Sequence, residues 1–169
     1  MKKTTRSLET RQLGKLVNHP RQAELFPALN EHELQALADN IDRIGLQQPI
    51  EVLPPGNAAG LPAGTILRGH QRRRALQLLG YEEAEVLVLH DLAGADRNTV
   101  DLHFVEENLH RRQLTPLAKA RAALAVFDLE RGRSSDELSD GDAQDARDRV
   151  AKSLNLGSGR HLQRYLNLL

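Results

Sequence analysis

Residues 65–80 read Thr-Ile-Leu-Arg-Gly-His-Gln-Arg-Arg-Arg-Ala-Leu-Gln-Leu-Leu-Gly, and this stretch decides the fold class. Thr65 to Arg68 is short and mostly apolar, as a strand is. Gly69 permits a tight turn, and helical spacing then runs from Gln71 to Leu79 until Gly80 stops it. A strand turning through glycine into a helix marks an α/β unit. The N–H groups at such a helix start lack partners, and together with the macrodipole they attract anions. Four arginines fall within residues 68–74: Arg68, Arg72, Arg73 and Arg74. Guanidinium groups there would add bidentate donors for phosphate oxygens. The alternative is an arginine-rich face left in water, with His70 a structural hydrogen-bonding residue. Spacing does not choose between these readings.

Upstream, Asn30 is a good N-cap with Glu33 three residues on, the pattern of a capping box. Leu34, Leu37, Ile41 and Ile44 then make one apolar stripe, so a helix is expected over 30–44, stopped by Gly45. Pro49 to Leu53 reads as a strand with proline at its start, and residues 54–64, rich in proline and glycine, as a loop. The first sixteen residues, with Lys2, Lys3, Arg6, Arg11 and Lys15 against Glu9, read as a basic lead-in, frayed or strand-like. Downstream, Ala84 to His90 is a buried strand. Residues 98–111 form a helix with Val100, Phe104 and Val105 inward, and Thr115-Pro116 opens another with Leu117, Ala120, Leu124 and Phe127 on its apolar face. Residues 131–144 read as a surface linker.

On that next-to-last pair of helices, Glu107 and Arg111 are four apart and share a face. A carboxylate there can hold Mg²⁺ beside substrate phosphates, and Asn108 can position a water or a phosphate oxygen. A plain helical ion pair followed by a basic turn fits the spacing equally well. The last segment, residues 145–169, fits a helix-turn-helix. Val150, Leu154, Leu156, Leu162, Tyr165 and Leu166 would pack inward, Gly157 would turn, and Ser158, Arg160, His161 and Arg164 would face outward. Spaced basic residues on such a helix suit the major groove and its flanking phosphates.

Composition sets outer limits. Of 169 residues, 23 are Lys or Arg and 23 Asp or Glu, so the net charge of zero excludes a wholly basic coat protein. With no cysteine, disulfide scaffolds, thiolate metal sites and cysteine nucleophiles are excluded. Apolar runs are too short to span a bilayer, and no apolar stretch follows the basic start, so a cytoplasmic protein with no membrane partner is expected.

Three segments in order resemble the ParB/sulfiredoxin-like superfamily, and more closely the ParB N-terminal domain. Gly45-Leu46-Gln47-Gln48-Pro49-Ile50-Glu51-Val52 resembles its Gly-x-x-Gln-Pro-Ile-x-Val box. Gly69 to Ala75 resembles its Gly-Glu-Arg-Arg-x-Arg-Ala box, and Glu107 to Pro116 its Glu-Asn-x-x-Arg-x-x-Leu-x-Pro box. The resemblance spans about residues 17–123. It implies an α/β (α+β) domain with a small mixed sheet over 17–112, then a helical DNA-binding region over 113–169 with the helix-turn-helix near 145–169. It also implies a nucleoside triphosphate, CTP before ATP, with Mg²⁺. Carried over by position, Gln48, Pro49, Gly69, His70, Gln71, Arg72, Arg74, Asn108 and Arg111 would surround the nucleotide. Glu107 and Asn108 would serve the metal and the attacking water of a slow CTPase. Implied partners are DNA, a second copy of the chain and a partition ATPase, in plasmid partition, chromosome segregation or transcriptional control. His70-Gln71 stands where the partition proteins have Glu-Arg. Together with His19-Pro20 it resembles other branches, so a free-serine-kinase-like phosphotransferase or a ParB-like nuclease is the alternative.

Overall fold

The basic lead-in folds as a strand. In the computed structural model, which describes residues 5–109, 115–133, 148, 150–152 and 158–167, β1 (Arg6–Gln12) pairs antiparallel with β5 (Glu83–Leu89) along its whole length. The rest of the sheet is β2 (Val17–Asn18), β3 (Ile50–Val52) and β4 (Thr65–Arg68), in the order β1-β5-β3-β4-β2. β3 lies parallel to β5 and antiparallel to β4, and β2 lies parallel to β4. The sheet is therefore mixed, and the α/β class read from residues 65–80 holds. The sequence left this segment open between frayed and strand-like because its residues alternate between exposed and half-buried, with no apolar face. Its pairing with β5 holds it, with local charge pairs on its surface. Glu9 accepts from Arg11 Nε and from Ser7, and these bonds, Arg11 first, keep its carboxyl below the usual range.

Two helices cover one face of the sheet. α2 (Glu31–Ile44) starts on the expected capping box: Glu33 N–H donates to Asn30 Oδ1 at 2.9 Å, and Asn30 N–H to Glu33 Oε2 at 3.0 Å. Asn30→Ala should therefore cost about 1 kcal/mol in denaturant unfolding; no change would show the cap to be dispensable. Gly45, at φ +75, ends the helix. α3 (His70–Leu78) packs on α2, and Ala38, Ile41, Ala75 and Leu76 meet Ile50, Val52, Ile66, Val86 and Val88 of the sheet. Ile44 departs from the expected stripe. It is 49% exposed, because it sits in the last turn where the chain leaves the core. A one-turn helix, α1 (Gln22–Leu25), was not expected; it is flanked in the sequence by Pro20 and Pro27 and buries Leu25. In the loop before β4, buried Asn57 closes the turn by bonding the carbonyls of Pro54 and Leu61 and the N–H of Leu61.

The chain divides into two units, residues 1–100 and 101–169. α4 (Arg97–Leu109) starts one residue earlier than expected, where Asp96 Oδ1 accepts from Thr99 N–H at 2.8 Å. Val100, Phe104 and Val105 are fully buried, as expected. α5 (Pro116–Arg133) begins at Thr115, whose Oγ1 accepts from Ala118 N–H. Its buried residues are small: Ala118, Ala120, Ala122, Ala123, Ala125 and Val126. Leu124, expected inward, is 37% exposed, because alanine-lined faces let neighbouring backbone approach closely and a leucine does not. The side chains of Leu117 and Phe127 lie outside the described residues, as does the linker from residue 134. α6 (Gly159–Leu166) packs against α5.

Candidate functional site

Gly69 is fixed twice over. It caps α3 at φ +105, and a Cβ built there would lie 3.2 Å from Ile50 Cα and 3.2 Å from Arg72 Nη2. No L side chain is comfortable at that φ, and the neighbouring backbone of β3 leaves little room for one. Arg73 N–H closes the first helical bond onto Gly69 O, so the N–H groups just before it form the electropositive end of α3.

The α3 arginines are not a solvated face. Arg72 Nη1 donates to the carbonyls of both Gln48 and Pro49, the latter at 2.7 Å. This arginine ties the Gln48-Pro49 segment to the glycine turn, so two of the three sequence boxes meet within the first unit. Arg74 reaches Gln71 Oε1 at 2.9 Å and Leu29 O at 3.3 Å. Arg73 donates to Asn18 Oδ1 at 3.2 Å, and burial pushes its guanidinium pKa down from the ordinary value. Its Nε is buried without a partner among the described residues. The partners of Arg73 and Arg74 are neutral oxygens, so their positive charges are not cancelled by these bonds.

His70 and Gln71 are buried, which a solvent-facing helix start would not require. His70 Nε2 accepts from His19 N–H at 3.3 Å, and His19 Nδ1 accepts from Arg21 N–H at 3.3 Å. His19 is itself 1% exposed. Asn18, His19 and Arg73 thus belong to the site region although the sequence boxes did not name them. The signal was present: His19-Pro20 already stood out as a resemblance to other branches, and it directly follows β2.

In the second unit, Glu107 and Asn108 occupy the last turn of α4. Asn108 is 1% exposed and its Nδ2 donates to Phe104 O at 2.6 Å, so its acceptor end, Oδ1, points away from the helix backbone. Glu107 is half-buried. Arg111 lies outside the described residues. No group of three metal-ligating His, Asp or Glu side chains occurs among the described residues.

α6 buries Leu162 and exposes Arg160, His161 and Arg164, with Ser158 exposed just before it. These four line a depression of about 410 Å³ together with Asp148. Asp148 Oδ1 accepts from Gly159 N–H at 2.7 Å, placing a carboxylate on the electropositive start of α6. Val150 is buried as expected. Leu154, Leu156, Gly157 and the side chains of Tyr165 and Leu166 lie outside the described residues. No helix among the described residues is long and apolar enough to cross a membrane.

No family model matches the chain. The chromosome-partitioning protein Spo0J of Thermus thermophilus is 37% identical over 126 residues, 75% of this chain and 42% of that protein. The chain thus spans less than half the length of that relative. A Pnob8-like ParB-N domain superposes with a TM-score of 0.70 at 15% identity, covering 100% of this chain and 71% of that one. The C-terminally truncated chromosome-partitioning protein ParB from Caulobacter crescentus, complexed to the centromeric parS site, superposes at 0.55 with 21% identity, covering 95% of this chain and 71% of that one. At those identities the structural likenesses speak for fold alone. Sequence identity in one relative, the shared mixed-sheet fold and the two boxes joined by Arg72 agree: the chain belongs to the ParB/Spo0J family and carries its N-terminal domain.

Proposed function

We propose that this protein is a ParB-like DNA-binding protein whose N-terminal domain takes CTP with Mg²⁺ as a switch ligand, in chromosome or plasmid partition or related transcriptional control. The observation that carries the nucleotide reading is the glycine turn at α3, with Arg72 fastening Gln48-Pro49 beside it. An electropositive helix start and the guanidinium charges of Arg73 and Arg74, bonded to neutral oxygens, favour a polyphosphate. Glu107 and Asn108 are assigned to the same ligand by their box. One carboxylate and one amide oxygen suit Mg²⁺, which keeps waters and substrate phosphates as its other ligands. When bound, the metal would neutralise phosphate charge. The chain's own residues orient the triphosphate and hold a water. No strong general base stands in the boxes, so any hydrolysis by Glu107 and Asn108 is slow, and the nucleotide acts by favouring one conformation over another.

Binding of CTP, ATP and GTP with Mg²⁺, measured by calorimetry, tests this reading. CTP should bind selectively. Binding of none would leave only the fold. Phosphoryl transfer to a small hydroxylated substrate would replace the switch with a phosphotransferase.

The DNA reading rests on α6, whose exposed Arg160, His161 and Arg164 oppose buried Leu162. Arg164→Ala should weaken DNA binding by about tenfold and flatten its salt dependence by about one counterion. An unchanged affinity would remove α6 from the interface. A location on the nucleoid or a plasmid, and partnership with a second copy and a partition ATPase, follow from the same proposal.

A further inference from the structure

The start of α6 is seated on an anion that the chain itself supplies. Gly159 N–H is one of the helix-start donors that have no partner inside a helix. Asp148 Oδ1, eleven residues upstream, accepts from it at 2.7 Å. The same carboxylate lines the depression of about 410 Å³ that Ser158, Arg160, His161 and Arg164 enclose, where it is the one acid among the described residues. The turn into α6 is also held from within. Ser158 O accepts from His161 N–H at 2.9 Å and from Leu162 N–H at 3.1 Å, and Ser158 Oγ lies 3.3 Å from His161 Nδ1.

A helix start flanked by two guanidinium groups draws phosphate regardless of base sequence, because the dipole and counterion release act on charge alone. A phosphate oxygen and the Asp148 carboxylate carry the same sign and suit the same N–H. We propose that Asp148 is a built-in stand-in for a phosphate, which keeps the DNA backbone off the start of α6 and so restrains sequence-independent binding. The proposal rests on the reading of α6 as the DNA-contacting helix. The competing role is that of a plain cap, stabilising α6 through one hydrogen bond and the dipole. A cap needs only the acceptor oxygen, whereas restraint needs the negative charge. Ser158, a favoured residue type just before a helix, already stands at that end. A carboxylate brought in from outside the helix, into an otherwise basic face, opposes phosphate approach whatever else it does.

Asparagine separates the two roles, since it keeps Oδ1 and loses the charge. The test is binding of the full chain to a random-sequence DNA duplex, followed by fluorescence anisotropy over a series of NaCl concentrations. Asp148→Asn should bind about three- to tenfold more tightly than wild type, with a salt dependence steeper by about one counterion. Arg164→Ala, measured alongside, should move both quantities the other way. Asp148→Ala also loses the acceptor oxygen, and should still bind at least as tightly as wild type, because a phosphate can then take the Gly159 N–H. Circular dichroism melts check that each variant is folded. Were Asp148 only a cap, Asp148→Asn would match wild type and Asp148→Ala would bind more weakly. That pattern, with Arg164→Ala still weakened, overturns the proposal and leaves the DNA reading of α6 standing. If Arg164→Ala and Asp148→Asn both bind as wild type does, α6 is not at the interface and both readings fall.

Discussion

Gly69→Val should lower the unfolding free energy by about 2–4 kcal/mol, the sum of a left-handed backbone and an overpacked contact. The backbone sits at φ +105, and the nearest obstacle to a side chain is Ile50 Cα, part of the central strand β3, which cannot yield as a flexible side chain would. The expectation is a lower urea midpoint with an unchanged slope. Gly69→Ala is the milder test, at about 1–2 kcal/mol, and keeps the comparison measurable if valine prevents folding. A loss under about 0.5 kcal/mol for both would mean that the β4–α3 turn relaxes freely, and the anion site built on it would lose its rigidity.

Arg72→Ala should weaken CTP binding by about 10–100-fold, the loss expected when a charged hydrogen-bonding group is removed. The same change removes the tie to Gln48 and Pro49, so part of the loss reflects a segment no longer held beside the turn. Arg72→Lys separates the two contributions. Lysine keeps the charge but lacks the planar fork, so it should restore little. Full recovery by lysine would show that charge alone matters and that the tie is dispensable.

Much of this molecule was legible because its elements announce themselves locally. Asn30 with Glu33 fixed the start of α2, Gly69 and Gly80 bracketed α3, and Thr115-Pro116 opened α5. Strand β1 was only half legible, as a lead-in either frayed or strand-like: its stability comes from pairing with β5, more than seventy residues away, and its own residues show no apolar alternation. The same limit explains Leu124. Size suggested the buried face of α5, but a run of alanines lets that helix bury several faces, and the larger residue was left outside. At the site, residue types identified Gly69 and the arginines, whereas their roles depended on tertiary contacts. No spacing rule could show that Arg72 would reach back to the carbonyls of Gln48 and Pro49, or that His70 would accept from His19 N–H.

The most direct test of the account is a nuclear magnetic resonance titration of the chain with CTP and Mg²⁺, following the side-chain N–H signals of Arg72 and Asn108 together. If one polyphosphate engages the glycine turn and the Glu107-Asn108 pair, both signals shift along a single saturation curve, and both stay still with Gly69→Ala. Shifts at Arg72 with Asn108 unmoved at saturation, or movement of neither, would contradict a shared nucleotide.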